Sequence, residues 1–351
     1  MHSANDLTPE NVFLGVGSDE AIDAIIRCFC TPGKDKVLTC PPTYGMYAVS
    51  AQVNDVEILE VPQSHERGFT IRPDAINEAL SARPEIKVVY LCSPGNPTGT
   101  LVSKDLVEQV LEHPTWNGVV VVDEAYVDFA SRTRHVSPEA SNDASLAQWV
   151  TEWPNLIVMQ TLSKAFGLAA IRLGAAFTSP AIAKLLNNAK APYNISHPTS
   201  ALANAALQKA HLAVMRRHRG EIIKQRDRLL RELPLIPGMG DMIGGTDSNF
   251  LLWEILDQSR ERGGRPCNDT ALSVYQSLAE SKGVVVRFRG KEHGCTGCLR
   301  ITVGTEPEVD KLLRELRAVL GELYRRRRGT NGTSGEEHSE RQEQEANDVI
   351  A

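Results

Sequence analysis

Four side chains in the first half of this chain stand where packing alone would not put them. Lys164, in "QTLSKAFGLAAIRLG" (160–174), separates two apolar runs, and Arg172 closes the second. Asp123 follows four consecutive valines in "VVVVDEAY" (119–126). Asn96 sits in the Gly/Pro turn "CSPGNPTGT" (92–100). A carboxylate at the end of a buried run is costly unless a cation or hydrogen-bond donors meet it. A lysine desolvated near other cations has a lowered pKa and becomes a nucleophile or a Schiff-base former. An arginine suits phosphate, and an asparagine can donate its amide. Each also has a plainer reading: a solvated lysine at a helix start, an aspartate capping the next element, an ordinary turn.

The surrounding elements decide whether the four can meet. Short strands are predicted over 36–40, 56–62, 86–92, 118–126, 155–160 and 172–178. Between them, apolar residues recur at helical spacing over 19–29, 43–53, 73–83 and 103–113. Pro73 starts the third helix, and Ser103 caps the fourth. The strands are continuously rather than alternately apolar, the habit of a parallel sheet covered on both faces. The fold class is therefore α/β with a mostly parallel sheet between helices. Ligands of such sheets bind beyond the C-terminal strand ends, which is where Asn96, Asp123 and Lys164 fall. The Gly-rich "LGVGSDEAI" (14–22) opens the first helix. Its N-terminus, at Ser18 and Asp19, is either an anion site or an ordinary capped helix start. It matches neither G-x-G-x-x-G nor G-x-x-x-x-G-K-[ST], which disfavours nucleotide binding.

After about residue 198 the texture changes to a long helical stretch, then strands at 249–255, 284–288 and 298–304 around a helix at 270–283. A helix with one apolar face (309, 312, 313, 316, 319, 320, 323) follows. This reads as a smaller α+β domain. The expected division is a large domain over 1–215, a small domain over 216–324 and a disordered tail over 325–351. The run of arginines at 325–328 reads as the end of the last helix, placed against the negative end of its dipole.

The bulk numbers exclude other classes. Charged residues are 23% of the 351, and the net charge is −6, so nothing favours nucleic acid or an anionic membrane. No apolar run approaches the length of a membrane span, and the start has no signal-peptide core. The seven cysteines, several in apolar runs, read as reduced thiols in a cytoplasmic protein. "CTGC" (295–298) is a lone C-x-x-C, weak evidence for metal, and no metal is expected.

Taken together, an anion cradle, an Asp, an Asn, a Lys and an Arg at the strand ends of one sheet are what pyridoxal 5′-phosphate requires. "SPGNPTG", "VVVVDEAY" and "TLSKAFGLAAIRLG", in that order, resemble the fold-type-I pyridoxal-phosphate-dependent aminotransferases. With "GSDEAID", "CPPTYGMY" and "GCLRITVGT", the chain from about 12 to 324 is similar to the histidinol-phosphate aminotransferases among them. The resemblance implies a sheet of the seven-stranded type and a homodimer. It implies that Lys164 forms the Schiff base and Asp123 pairs with the pyridine nitrogen. It places Asn96 and Tyr126 on the phenolic oxygen and Tyr44 on the ring. Ser163, Arg172 and the backbone of Ser18 and Asp19 would take the phosphate, with Thr161 a weaker candidate. Arg287 and Arg300 would bind substrate anions, namely the phosphate of histidinol phosphate and the carboxylates of glutamate and 2-oxoglutarate. The family also carries an N-terminal arm that contributes tyrosines to the site. About a dozen residues precede "VFLGVGSDE" here, so those groups are expected to be missing. The same motifs fit an aromatic aminotransferase or a phosphothreonine-type decarboxylase, and the short arm fits a non-catalytic relative.

Overall fold

The computed structural model describes residues 7–130 and 144–347. Its larger sheet contains β1 (Val12–Val16), β2 (Lys36–Thr39), β3 (Glu57–Glu60), β4 (Ile86–Cys92), β5 (Val119–Asp123), β6 (Leu156–Thr161) and β7 (Leu173–Phe177). Their order across the seven-stranded sheet is β1-β7-β6-β5-β4-β2-β3. β3, β2, β4, β5 and β6 run parallel; β7 is antiparallel to β6, and β1, antiparallel to β7, again runs in the direction of the other five. The expected mostly parallel sheet is borne out, with β1 a strand that the glycines of "LGVGS" conceal.

The valine run shows why the sheet needs two covers. Val119 and Val121 face one core, with Ile22 and Ile25 of α1 (Gly17–Phe29) and Tyr47 of α2 (Met46–Val53). Val120 and Val122 face the other, with Ile76 of α3 (Pro73–Ala82) and Val107 of α4 (Lys104–Leu111). A strand alternates faces, so only a strand buried on both can be continuously apolar. Pro73 starts α3 as expected. Ser103 stands at the N-cap of α4 but its side chain makes no capping bond, so that expected cap is backbone geometry only. α5 (Pro180–Ala189) covers the β1 side, and Asn187 and Lys190 donate to the Val12 and Leu14 carbonyls of that edge strand. Side chains thus occupy hydrogen-bonding groups that an open edge would offer to another chain.

The predicted long helix after residue 198 is two, α6 (His197–Ala206) and α7 (Lys209–Glu232). Gln208 between them is extended, and the His211 ring nitrogen lies 2.7 Å from the Ala205 carbonyl, which also accepts the Gln208 N–H at 3.1 Å. α7 leads to β8 (Met239–Ile243), β9 (Phe250–Ile255), α8 (Asn268–Ser281), β10 (Arg287–Phe288), β11 (Cys298–Thr302) and α9 (Glu306–Asn347). The four strands form a separate antiparallel sheet, order β10-β11-β9-β8, packed on α8 and α9 around Leu251, Trp253, Leu299 and Leu316.

The tail departs from expectation. α9 does not end at the arginines; its backbone stays helical through Asn347, and only 348–351 of the expected tail lie outside the described residues. Arg327 does not serve the helix dipole: it reaches back to the Asp257 carbonyl (2.9 Å) and the Thr270 hydroxyl (3.0 Å). Among the described residues no helix is long and apolar enough to cross a membrane.

Candidate active site

Parallel strands end on one edge, so the loops after β4, β5 and β6 converge there. Cys92, Asp123 and Met159 stand opposite one another in register on those three strands. Asp123 is the last residue of β5; Asn96 follows β4, and Thr161, Ser163 and Lys164 follow along β6 and its turn. The N-terminus of α1 closes the cavity from the β7 side. Ser18, Asp19, Tyr44, Asn96, Asp123, Tyr126, Thr161, Ser163, Lys164 and Arg172 all line this one cavity. Cys92, Ala125 and Ala169 line it too and carried no sequence signal.

Asp123 is 2% exposed. The Tyr47 hydroxyl donates to its Oδ2 at 2.8 Å, and the Ala125 N–H to its Oδ1 at 3.1 Å. Burial pushes its pKa up; those two donors, and Lys164 more weakly, pull it back. Its neighbour Glu124 turns the other way and accepts the Ser145 hydroxyl (2.7 Å), the Leu146 N–H (2.6 Å) and the Gln160 amide (2.9 Å). The carboxylate at the strand end is therefore satisfied by hydrogen bonds, and among the described residues none of its hydrogen-bonding partners is a cation.

At the other end of the cavity α1 starts without a side-chain cap. Its first-turn N–H groups have no partner within the helix. Gly17 (φ 74°) donates its N–H to the Arg172 carbonyl at 3.0 Å, and Arg172 is itself left-handed (φ 51°). β7 passes so close that a Cβ on Gly174 would lie 2.5 Å from the Gly17 carbonyl carbon and the Ser18 nitrogen. Arg172 bonds the Asp19 carboxylate at 3.1 Å, whose other oxygen takes the Tyr44 hydroxyl at 3.1 Å. That half-exposed ion pair is weak and easily exchanged for another anion. Thr161 is buried; its hydroxyl lies 3.1 Å from the Leu173 carbonyl and 2.8 Å from the Ser163 hydroxyl, a pattern that holds the turn.

Lys164 stands between these ends, its ammonium 5.3 Å from the Tyr126 ring centroid. Its side chain is exposed by area at the cavity mouth, yet its surroundings are dense enough that desolvation, then Arg300, lowers its pKa. Asp123 and Asp19 oppose that shift without reversing it. Tyr126 is buried, which pushes its phenol up to about 12 and keeps it a proton donor.

The small sheet contributes Arg300. Its Nη1 donates to Asn96 Oδ1 at 2.6 Å, and its guanidinium lies 4.8 Å from the centroid of the Phe250 ring. With Oδ1 taken, the amide of Asn96 is left as a donor group. Among the described residues the Arg300 Nε is buried without a partner. Arg287, exposed, stands opposite Arg300 in the β10–β11 register and is not among the cavity residues. Arg289 adds positive charge beside Arg300 and Tyr126, and sequence reasoning missed it. Tyr47 was missed as well, although it closes the "CPPTYGMY" stretch three residues after Tyr44. Cys295 and Cys298 are buried with Phe69 and Leu252, and burial pushes the Cys295 thiol up to about 12. Among the described residues no cluster could hold a metal ion.

A parallel-sheet edge bearing a buried carboxylate, a lysine with lowered pKa and an arginine at a helix N-terminus defines a pyridoxal-phosphate transferase of fold type I. The pattern of the family Aminotransferase class I and II matches residues 1–316, and the chain belongs to that family. The chain is 52% identical over 318 residues to the histidinol-phosphate aminotransferase of Schizosaccharomyces pombe, covering 91% of this chain and 79% of that one. It is 46% identical over 320 residues to the enzyme of that name from Saccharomyces cerevisiae, covering 90% and 77%. By these likenesses its branch of the family is that of the histidinol-phosphate aminotransferases. A crystal structure of histidinol-phosphate aminotransferase from Sinorhizobium meliloti in complex with pyridoxal-5′-phosphate superposes with a TM-score of 0.75 at 22% identity, covering 90% of this chain and 78% of that one. A decarboxylase from Sulfurospirillum multivorans superposes at 0.73, also at 22% identity, covering 90% and 75%. The fold alone thus does not choose the reaction.

Proposed function

We propose that this chain transaminates L-histidinol phosphate with 2-oxoglutarate, giving imidazole acetol phosphate and glutamate in histidine biosynthesis. The observation that carries the reading is the joining of Lys164, Asp123, Asn96 and Arg172 in one cavity of a chain 52% identical to a histidinol-phosphate aminotransferase. Pyridoxal phosphate fits the residues present: Asp123 is a buried carboxyl with no cation bonded to it among the described residues, and Arg172 sits at an uncapped helix start. When bound, this cofactor supplies an aldehyde that condenses with amines and a ring that withdraws electrons from the substrate Cα.

In this reading Lys164 is the amine that meets the aldehyde, and Asp123 keeps the pyridine nitrogen protonated, since an opposite charge favours the charged form. Asn96 and Tyr126 donate to the phenolic oxygen, and Tyr44 covers the ring. Ser18, Asp19, Ser163 and Arg172 hold the phosphate, with Asp19 yielding Arg172 to it; Thr161 shapes the turn. Lys164, neutral more readily than an ordinary lysine, removes the substrate Cα proton as general base. Arg300 and the more exposed Arg287 receive the substrate phosphate or carboxylates. The cofactor-binding unit is 1–215 and the smaller unit 216–324, their boundary inside α7. A homodimer is supported by large apolar side chains left exposed, Tyr193 (99% exposed), Leu202 and Leu207. The free cysteines support a reducing, cytoplasmic setting.

The test is half-transamination. Protein mixed with pyridoxal phosphate is expected to develop a visible band that histidinol phosphate discharges and phenylalanine does not. No band would sink the cofactor reading. A band discharged by phenylalanine alone would favour an aromatic aminotransferase.

A further inference from the structure

Asp123 reaches its place through a tyrosine that the reading above leaves without a part. Tyr47 is fully buried on α2, and its hydroxyl donates to Asp123 Oδ2 at 2.8 Å. Its ring stacks on Tyr90 of β4, with centroids 4.6 Å apart and planes at 11°. The Tyr90 hydroxyl in turn donates to the Ile22 carbonyl of α1 at 3.0 Å. α1 is the helix whose first turn carries Ser18 and Asp19. The stacked pair is therefore a strut between the phosphate end of the cavity and its carboxylate end.

A buried phenol is not placed beside a buried carboxylate for packing alone: phenylalanine would stack equally well on Tyr90. The hydroxyl proton has few acceptors. The Cys92 thiol donates weakly to the Pro94 carbonyl at 3.6 Å, so its sulfur offers Tyr47 only a poor acceptor. Ala125 N–H already holds Oδ1. Oδ2 is the best acceptor in reach, and a bond from a neutral donor to a carboxylate is stronger than one to a carboxylic acid.

Resting on the reading of the cavity as a pyridoxal-phosphate site, the geometry points to Tyr47 as a positioning residue that holds the Asp123 carboxylate ionised and aimed at the cofactor's ring nitrogen. Tyr47 acts through Asp123 and touches neither cofactor nor substrate. The groups facing Asp123 are Tyr47 from α2, Tyr44 before it, Asp19 from α1, Tyr90 and Cys92 from β4, Tyr126 after β5, and Lys164. Burial keeps the phenol of Tyr47 well above its ordinary value, so it stays a donor throughout the working range.

The test is Tyr47→Phe, which keeps the ring and its stack. Thermal stability of the cofactor-free protein is measured from pH 5 to pH 8.5 on the wild type and the variant. Asp123 has a folded pKa already above its unfolded one, so its ionisation costs stability as pH rises between the two. Losing the Tyr47 donor raises the folded value further. The stability deficit of Tyr47→Phe is therefore expected to widen as pH rises; a deficit equal at every pH assigns Tyr47 to packing and overturns the proposal. The second arm measures pyridoxal 5′-phosphate dissociation. Tyr47→Phe is expected to weaken it roughly tenfold, the low end for a lost charged hydrogen bond. Placed on Asp123→Ala, which leaves no acceptor for the Tyr47 hydroxyl, the same change is expected to add less than about twofold. An equal loss in both backgrounds overturns the proposal. If wild-type protein binds no pyridoxal phosphate, the cofactor reading fails, while the stability arm still decides whether Tyr47 holds Asp123.

Discussion

The two sheets serve the cavity in different ways. The parallel sheet brings several chain segments to one edge, and its loops after β4, β5 and β6 together with α1 line the cavity. The antiparallel sheet reaches it from the side: Arg300 donates to Asn96, and the Phe250 ring of β9 packs edge-to-face on Tyr126. A parallel sheet gathers strand ends because every crossover returns the chain to the same starting side. An antiparallel sheet sends alternate strand ends apart and can offer only a face. The first region holds its groups in buried hydrogen bonds, whereas the second presents arginines of graded exposure, from half-buried Arg300 to exposed Arg287.

That contrast breaks most sharply at the strand-end lysine. Lys164→Ala is expected to lower kcat for glutamate-linked turnover by roughly 10⁴-fold, and Asp123→Ala by about 10²-fold or more. Full turnover by Asp123→Ala beside a dead Lys164→Ala would remove the aspartate from the chemistry. The small sheet is tested next. Arg300→Ala is expected to cost roughly 30-fold or more in kcat/KM, because it strips a charged partner from buried Asn96. Arg287→Ala is expected to cost less than about threefold; the reverse order would mean that the antiparallel face, not its Asn96 contact, recognises substrate.

Gly174→Ala probes the cradle without touching a charge. A methyl 2.5 Å from Ser18 nitrogen must push α1 off β7. Titration with pyridoxal phosphate is expected to show about tenfold weaker binding, the scale of a modest overpacking penalty. A smaller effect links the two regions by pH. Neutral Lys164 is the reactive form, and its lowered pKa increases that form at a given pH. The rate at which the visible band grows on adding cofactor should rise with pH along a profile centred below that of an ordinary lysine. Arg300→Ala removes a cation that contributes to the lowering, so the profile should move to higher pH and the rate at neutral pH should fall. An unmoved profile would show that desolvation alone sets the lysine. The smallest effect is expected far from the cavity, where Arg260→Ala breaks an exposed ion pair with Asp241 and should leave Tm nearly unchanged in a thermal scan.

Much of the candidate site was legible because Asn96, Asp123 and Lys164 sit at breaks in apolar runs, whereas Tyr44 and Tyr126 were named only through the resemblance. Asp123 after four valines and Lys164 after "LIVMQTLS" stand out without any coordinates. Tyr47 and Arg289 do not, since a tyrosine in an apolar helix and an arginine beside a short strand are unremarkable one at a time. β1 escaped for a different reason: its glycine, its short length and its pairing with distant β7 leave no local periodicity. The helical continuation of α9 ran against a composition with no apolar face to predict it.

By itself, the order of the residues determined the parallel core, the strand-end positions of Asn96, Asp123 and Lys164, and the cofactor class, because burial on both faces and the cost of an isolated charge are local consequences of side-chain chemistry. Tertiary structure alone decided that Arg300 meets Asn96 across 204 positions of chain while Arg287 stays outside the cavity. It alone decided that Tyr47 meets Asp123 across 76. Such partners are chosen by strand order, register and stacking, which depend on the whole fold at once and leave no mark at either residue.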